Sequence, residues 1–393
     1  MRRIEDVRQI TERIDELRDE IRAIAHDIHE NPELGNQEFH AVELLTGVLK
    51  KHGFDVETGQ CGLETAFIGS YKGDKPGPVI GFLAEYDALR GLGHACGHNM
   101  IGALSCCCAI ALKEAIDEYG GEVRVIGAPA EETMGGKCAL ADAGFYDDLA
   151  VAIMGHPYNK HAASGRTMAI DSQRFEFFGR AAHAAASPEL GINALNAVLL
   201  TFRGIDALRQ HTVPTARVHG IIRDGGKAAN IVPDYASCEF YIRAETSKYL
   251  LPFSERVKNC ARAAALATGA ELKITNFEGY YHDLHTNETL SARTVKHTKK
   301  FGVEGEIKPD KDSASSDIGN VSYRCPCVHQ WFDVTGDPDI PLHTSELCAA
   351  ADSDYGYDNM FTVAKAFVAT SEDILTDPAF LKAIRDEFDE LEY

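Results

Sequence analysis

Pro78-Val79-Ile80-Gly81-Phe82-Leu83-Ala84 runs without interruption into Glu85-Tyr86-Asp87-Ala88-Leu89, and soon after into His94-Ala95-Cys96-Gly97-His98-Asn99. The first part is apolar with no polar alternation, which reads as a strand buried on both faces. Such a strand belongs inside a sheet covered by helices. Working outward, residues 65–71 form a second apolar run, separated from the first by the turn-rich stretch 72–77. On the other side lie a helical stretch over about 99–118, the breaker Gly120-Gly121, and an apolar strand over 123–128. Strands alternating with helices predict an open, mostly parallel α/β sheet. In such sheets ligands sit beyond the carboxyl ends of the strands. The polar clusters of this chain follow directly after strands.

Upstream, Ile4, Val7, Ile10, Ile14, Leu17, Ile21, Ile24 and Ile28 recur at steps of three and four, the apolar stripe of a long helix. Asn31-Pro32 stops it. Downstream of about residue 167 the pattern changes to strand (173–178), helix (188–209), strand (218–223), strand (235–243), helix (247–268) and strand (271–277). That order is βαββαβ, a ferredoxin-like unit, inserted into the first domain. The expected division is a catalytic domain over 1–167 and 278–393, with the insert at 168–277.

The chain has 393 residues, 45% of them hydrophobic, enough for a large core. A formal net charge of -21 argues against nucleic acid and anionic membranes as partners. No segment reads as apolar and long enough to span a bilayer, and the N-terminus lacks the apolar core of a signal peptide. The 11 cysteines are odd in number and scattered, unlike a disulfide framework. A reducing, cytoplasmic setting is the expectation.

Four places carry residues suited to chemistry. Cys96 and His98 flank one glycine in a tight turn before a helix, and both are ligands that suit zinc and similar ions. By itself the turn reads as well as one with a chance cysteine. Pro129-Ala130-Glu131-Glu132 follows a buried strand; adjacent carboxylates there repel, although a solvated loop pair is the plainer alternative. His156 follows an apolar run, where a satisfied loop histidine is more common. His343 alone says nothing. Together they supply Cys96, His98, Glu132, His156 and His343, five ligands for two divalent ions, with Glu131 left over as a proton shuttle.

With these motifs in order, the chain resembles the aminoacylase and glutamate-carboxypeptidase (M20) family of dinuclear metallopeptidases, in the branch carrying His-Ala-Cys-Gly-His. That branch includes hippurate, indoleacetyl-amino-acid and aminobenzoyl-glutamate hydrolases and a dipeptidase subgroup. The resemblance runs from Asn31-Pro32-Glu33-Leu34-Gly35 through Glu85–Leu89, Glu131-Glu132, Gly179-Arg180-Ala181-Ala182-His183, Asn230 and Arg243 to Ser316-Asp317-Ile318-Gly319-Asn320 and His343-Thr344. It implies a catalytic α/β domain interrupted by a smaller dimerising lid, and a homodimer formed through that lid. Cys96, His98, Glu132, His156 and His343 match the metal ligands, for zinc, manganese or cobalt. Glu131 matches the general base, and His183 a lid histidine serving the partner's centre. Asn230 and Arg243 match residues that hold the substrate's carboxylate or carbonyl. The implied substrate is a small amide: an N-acyl amino acid, an aminobenzoyl-glutamate-like conjugate or a dipeptide. Two positions depart from the pattern. Glu85 stands where many relatives have histidine, and Arg90 where the branch often has proline. Ser316-Asp317 reads as a helix N-cap whose amides could assist an anion. Two rival readings keep the metal site: hydrolytic deamination of an aromatic amine, and a binding protein that has lost catalysis.

Overall fold

The structure, a computed structural model, describes residues 3–309 and 314–391. Its strands in chain order are β1 Asp55–Thr58, β2 Phe67–Lys72, β3 Val79–Ala84, β4 Glu122–Gly127, β5 Val151–Tyr158, β6 Ala169–Phe178, β7 Arg217–Asp224, β8 Tyr235–Ala244, β9 Glu271–Asn276 and β10 Cys327–Asp333. The helices are α1 Arg3–Glu30, α2 Phe39–Lys51, α3 His98–Tyr119, α4 Gly136–Asp142, α5 Ala194–Leu208, α6 Ser247–Thr268, α7 Glu288–Lys300, α8 Ile318–Ser322, α9 Ser345–Ala350, α10 Asp354–Thr376 and α11 Pro378–Asp389. The chain divides into two compact units. One comprises Met1–Arg166, Leu284–Ser313 and Asp317–Tyr393; the other comprises Thr167–Asp283 and Ala314–Ser316.

The first unit is built on a six-stranded sheet in the order β1-β2-β4-β3-β5-β10. The four strands from β4 to β10 run parallel, and β2 and β1 are antiparallel at one edge. β3 lies inside the sheet with Ile80 to Ala84 buried, as its unbroken apolar run requires. Helix α3 packs against α1, α10, β3 and β5. It overturns one expectation, since its length and composition would suit a bilayer span. It is apolar nearly all round because it is a core helix, enclosed on nearly every side by its own unit. On α1 the predicted stripe is buried at Ile14, Leu17, Ile21 and Ile28; the side chains of Ile4, Val7 and Ile10 fall outside those described.

The second unit is a four-stranded antiparallel sheet in the order β7-β8-β6-β9, with α5 and α6 packed on it. Residues 278–283 stay with this unit, because Tyr281 bridges Ile170 through paired backbone bonds of 2.9 and 3.1 Å. The helix expected from Pro188 begins later. Pro188–Leu190 forms a single 3-10 turn, and Asn193 caps α5 by accepting from the Asn196 amide.

Candidate metal centre

The site is assembled from strand ends of the first unit. Glu85, Tyr86 and Asp87 leave β3 buried. Cys96 precedes α3 in a turn whose Gly97 has φ +75°, and a Cβ there would lie 2.6 Å from Pro157 Cγ. Only glycine allows both that backbone and that approach, which sets Cys96 and His98 against His156-Pro157 on β5. After β4, Ala130 adopts φ 60°, and His343 adopts φ 62° before α9. Two non-glycine residues held in the left-handed region beside candidate ligands are strain of the kind that clusters at functional sites. The Ala130 strain is held by Glu38, a buried carboxylate that accepts from the Ala130 amide and the Thr65 hydroxyl, each at 2.8 Å. Gly35 packs beneath the same loop; a Cβ there would meet Thr133 Oγ1 at 2.7 Å.

The five expected ligands come together. Cys96, His98 and His156 offer ligand atoms within 4.8 Å of one another, as do Cys96, Glu132 and His343, and as do His98, Glu131 and Glu132. Cys96 belongs to the first two groups and His98 to the first and third. His98 Nδ1 pairs with Asp87 Oδ1 at 2.9 Å, which turns Nε2 inward, and the other Asp87 oxygen accepts from the Glu132 amide at 3.0 Å. His156 donates Nδ1–H to the Pro157 carbonyl at 2.8 Å, so Nε2 faces Cys96 Sγ at 3.7 Å. His343 Nε2 lies 3.4 Å from Glu132 Oε1.

Metal ions fit this donor set. His98 Nε2, Glu85 Oε2 and Glu132 Oε1 are buried with no hydrogen-bond partner, which is costly unless something else satisfies them. The mixture of thiol, imidazole and carboxylate suits zinc-like ions. Burial opposes charge on His98, yet Cys96, Asp87 and Glu85 outweigh it and raise its pKa well above the usual value. The pocket therefore favours a positive charge beside Nε2. Burial first, then Glu85, Glu132 and Asp317 as like charges, push the Glu131 carboxyl up.

Sequence reasoning missed several residues here. Trp331 and His329 on β10 pack on His156, with ring centroids at 4.6 and 5.3 Å; only the pairing of β10 with β5 brings them there. Lys137 on α4 is fully buried, 2.5 Å from both Glu85 Oε1 and Asp317 Oδ1. Asp317 does stand at the N-cap position expected of it, but its side chain is engaged elsewhere. It makes no side-chain capping bond to the short helix α8 and accepts instead from the backbone amide and ammonium of Lys137. Arg90 is exposed.

The remaining candidates lie in the second unit. His183 is exposed, and its Nδ1 accepts from the amides of Ala185 and Ala186 at 3.3 and 3.1 Å. Its backbone bridges Ile231, and the Ala184 amide donates to the Asn230 carbonyl at 3.0 Å. His183 and Asn230 are thus neighbours in one turn cluster. Arg243 lies on β8, stacked 5.4 Å from the Tyr241 ring and donating to Ser315 Oγ at 2.9 Å.

Comparison with known proteins adds to this geometry. Residues 169–268 match the family model described as peptidase dimerisation domain. The chain is 36% identical to the Xaa-Arg dipeptidase of Mus musculus, across 97% of this chain and 91% of that protein. It is 30% identical to one of the chains of the p-aminobenzoyl-glutamate hydrolase of Escherichia coli K12, across 93% and 91% respectively. Its fold matches a dinuclear metal-binding M20 peptidase of Bacillus subtilis with a TM-score of 0.62 at 21% identity, covering 89% of this chain and 98% of that one. Similarity to C–N hydrolases over nearly the full length, together with a matching fold, places the chain in the M20 family of metallopeptidases and amidohydrolases.

Proposed function

We propose that the chain hydrolyses the amide bond of a dipeptide or N-acyl amino acid, with Xaa-Arg dipeptides the first substrates to test and aminobenzoyl-glutamate-like conjugates next. The observation that carries this reading is the convergence of Cys96, His98, Glu132, His156 and His343 around Glu131. Two divalent ions held by those five side chains (zinc, manganese or cobalt) would polarise the amide carbonyl and acidify water. Asp87 and the Pro157 carbonyl hold the two imidazoles of His98 and His156 in the tautomers a cation needs. Glu131 takes the proton from the attacking water and returns it to the leaving amine. Arg243, a planar fork matched to a carboxylate, and Asn230 hold the substrate's carboxylate or carbonyl. A cytoplasmic location is part of the proposal, supported by eleven free cysteines.

The test is a panel of dipeptides, N-acyl amino acids and aminobenzoyl-glutamate, assayed after reconstitution with Mn²⁺ or Zn²⁺. Turnover should be greatest on dipeptides ending in a basic residue with a free carboxylate. Release of ammonia without a new carboxylic acid, or no cleavage of any member, would sink the reading.

We also propose a homodimer joined through the second unit. Leu199 and Leu200 on α5 and Ile221 and Ile222 on the edge strand β7 are exposed, an apolar surface that a second copy would cover. In that dimer His183 meets the developing oxyanion in the partner's centre. Glu131→Ala and His183→Ala proteins should each be nearly inactive. A mixed dimer of the two has one centre with both residues intact, so co-refolding should restore activity. Mixed dimers that form but stay inactive would place His183 outside the partner's chemistry.

A further inference from the structure

Lys137 is a fully buried charge beside the centre that the proposed chemistry does not use. Its Nζ lies 2.5 Å from Glu85 Oε1 and 2.5 Å from Asp317 Oδ1, and its backbone amide donates to Asp317 Oδ2 at 2.9 Å. All three side chains have no solvent exposure. Glu85, Glu131 and Asp317 also present carboxylate oxygens within 4.8 Å of one another, a spacing and donor type that suit a hard cation. The second oxygen of Glu85 is buried without a hydrogen-bond partner, 3.4 Å from His98 Nε2. The acidic pocket is therefore continuous, through Glu131 and His98, with the group of His98, Glu131 and Glu132.

We propose that Lys137 is a built-in cation: its ammonium fills a third acidic site formed by Glu85, Glu131 and Asp317, which keeps a divalent ion out of that site and keeps Glu131 from being taken up as a ligand. A lysine suits the task because its ammonium is a compact point charge with several donors, and it cannot be exchanged or chelated. Burial opposes the charge, but Asp317 and Glu85 outweigh burial and hold Lys137 firmly protonated. A divalent ion in its place would draw on Glu131, which the proposed reaction needs as a base. The inference rests on the two-ion reading only for its baseline ion count.

The test uses the full-length protein as wild type, Lys137→Ala and Lys137→Arg. Each is chelated, then dialysed against Mn²⁺ or Zn²⁺, with ions per chain counted by elemental analysis and Tm measured at both stages. Lys137→Ala should hold one more ion per chain than wild type prepared alongside. Its chelated form should melt roughly 10 °C lower than chelated wild type, because buried carboxylates have lost their partner. Added metal should recover most of that difference by binding the folded state. Lys137→Arg should keep the wild-type count. If Lys137→Ala does not accumulate as folded protein, Lys137→Ala/Asp317→Asn removes one carboxylate with its counter-charge and should fold with no extra ion. A Lys137→Ala protein with the wild-type count and a Tm that metal does not restore overturns the inference, as does a double variant no better folded than the single one. Wild type without ions would instead count against the two-ion reading, and the metal-dependent Tm of Lys137→Ala would still decide the role of Lys137.

Discussion

Glu131→Gln is expected to keep the wild-type metal content and to lose about 10²–10⁴-fold in turnover, since the amide keeps the shape of the side chain but cannot accept the proton. The two adjacent acids are separated by what surrounds them. Glu132 lies 3.4 Å from His343 and has its amide fixed by Asp87, the setting that suits the ligand role proposed for it. Burial opposes its ionisation, but the neighbouring imidazoles of His343 and His98 prevail and keep its pKa low. Glu131 is pushed the other way by burial and by its acidic neighbours. Elemental analysis and single-turnover rates on the same preparation check the assignment. Metal loss with normal turnover per remaining ion would reverse the roles of Glu131 and Glu132.

Removing metal should have an effect at least as large. Exhaustive chelation is expected to abolish activity, and Mn²⁺ or Zn²⁺ should return it. Cys96→Ala should lose at least one ion and about 100-fold or more in activity, because Sγ belongs to two of the ligand groups and even residues that only support ligands cost 10–100-fold. Loss of metal also leaves buried polar atoms unsatisfied, so the chelated protein should melt at a lower temperature than the loaded one. An enzyme that is fully active after chelation, with no metal by elemental analysis, would end the two-ion reading.

The residues that follow strands were legible as candidates because the signal for them is local. A buried strand writes an unbroken apolar run, and the polar residues at its end stand out against it. Glu85 after β3, Glu131 and Glu132 after β4, and His156 on β5 are all found this way. The βαββαβ unit was legible for the same reason, since each element has its own period, but the start of its first helix was not: the capping Asn193, which accepts from the Asn196 amide, fixes that start, and the apolar pattern alone extends the helix back to Pro188. Helix α3 shows where local reading misleads. Its composition alone would suit a bilayer, and only its packing among α1, α10 and the sheet shows it as core.

The sequence by itself determined the open, mostly parallel α/β sheet, the inserted unit and which side chains could be ligands, since periodicity and strand-end placement are properties of short stretches. Tertiary structure alone decided who pairs with whom inside the centre. His98 is oriented by Asp87, Glu38 anchors the strained Ala130 backbone, Trp331 reaches His156 through strand pairing, and Asp317 turns from helix cap to partner of Lys137. Lys137 and Asp317 are 180 positions apart. No local pattern relates two such residues, because the force that joins them is the cost of burying an isolated charge, and that cost arises only once the fold has taken both out of water.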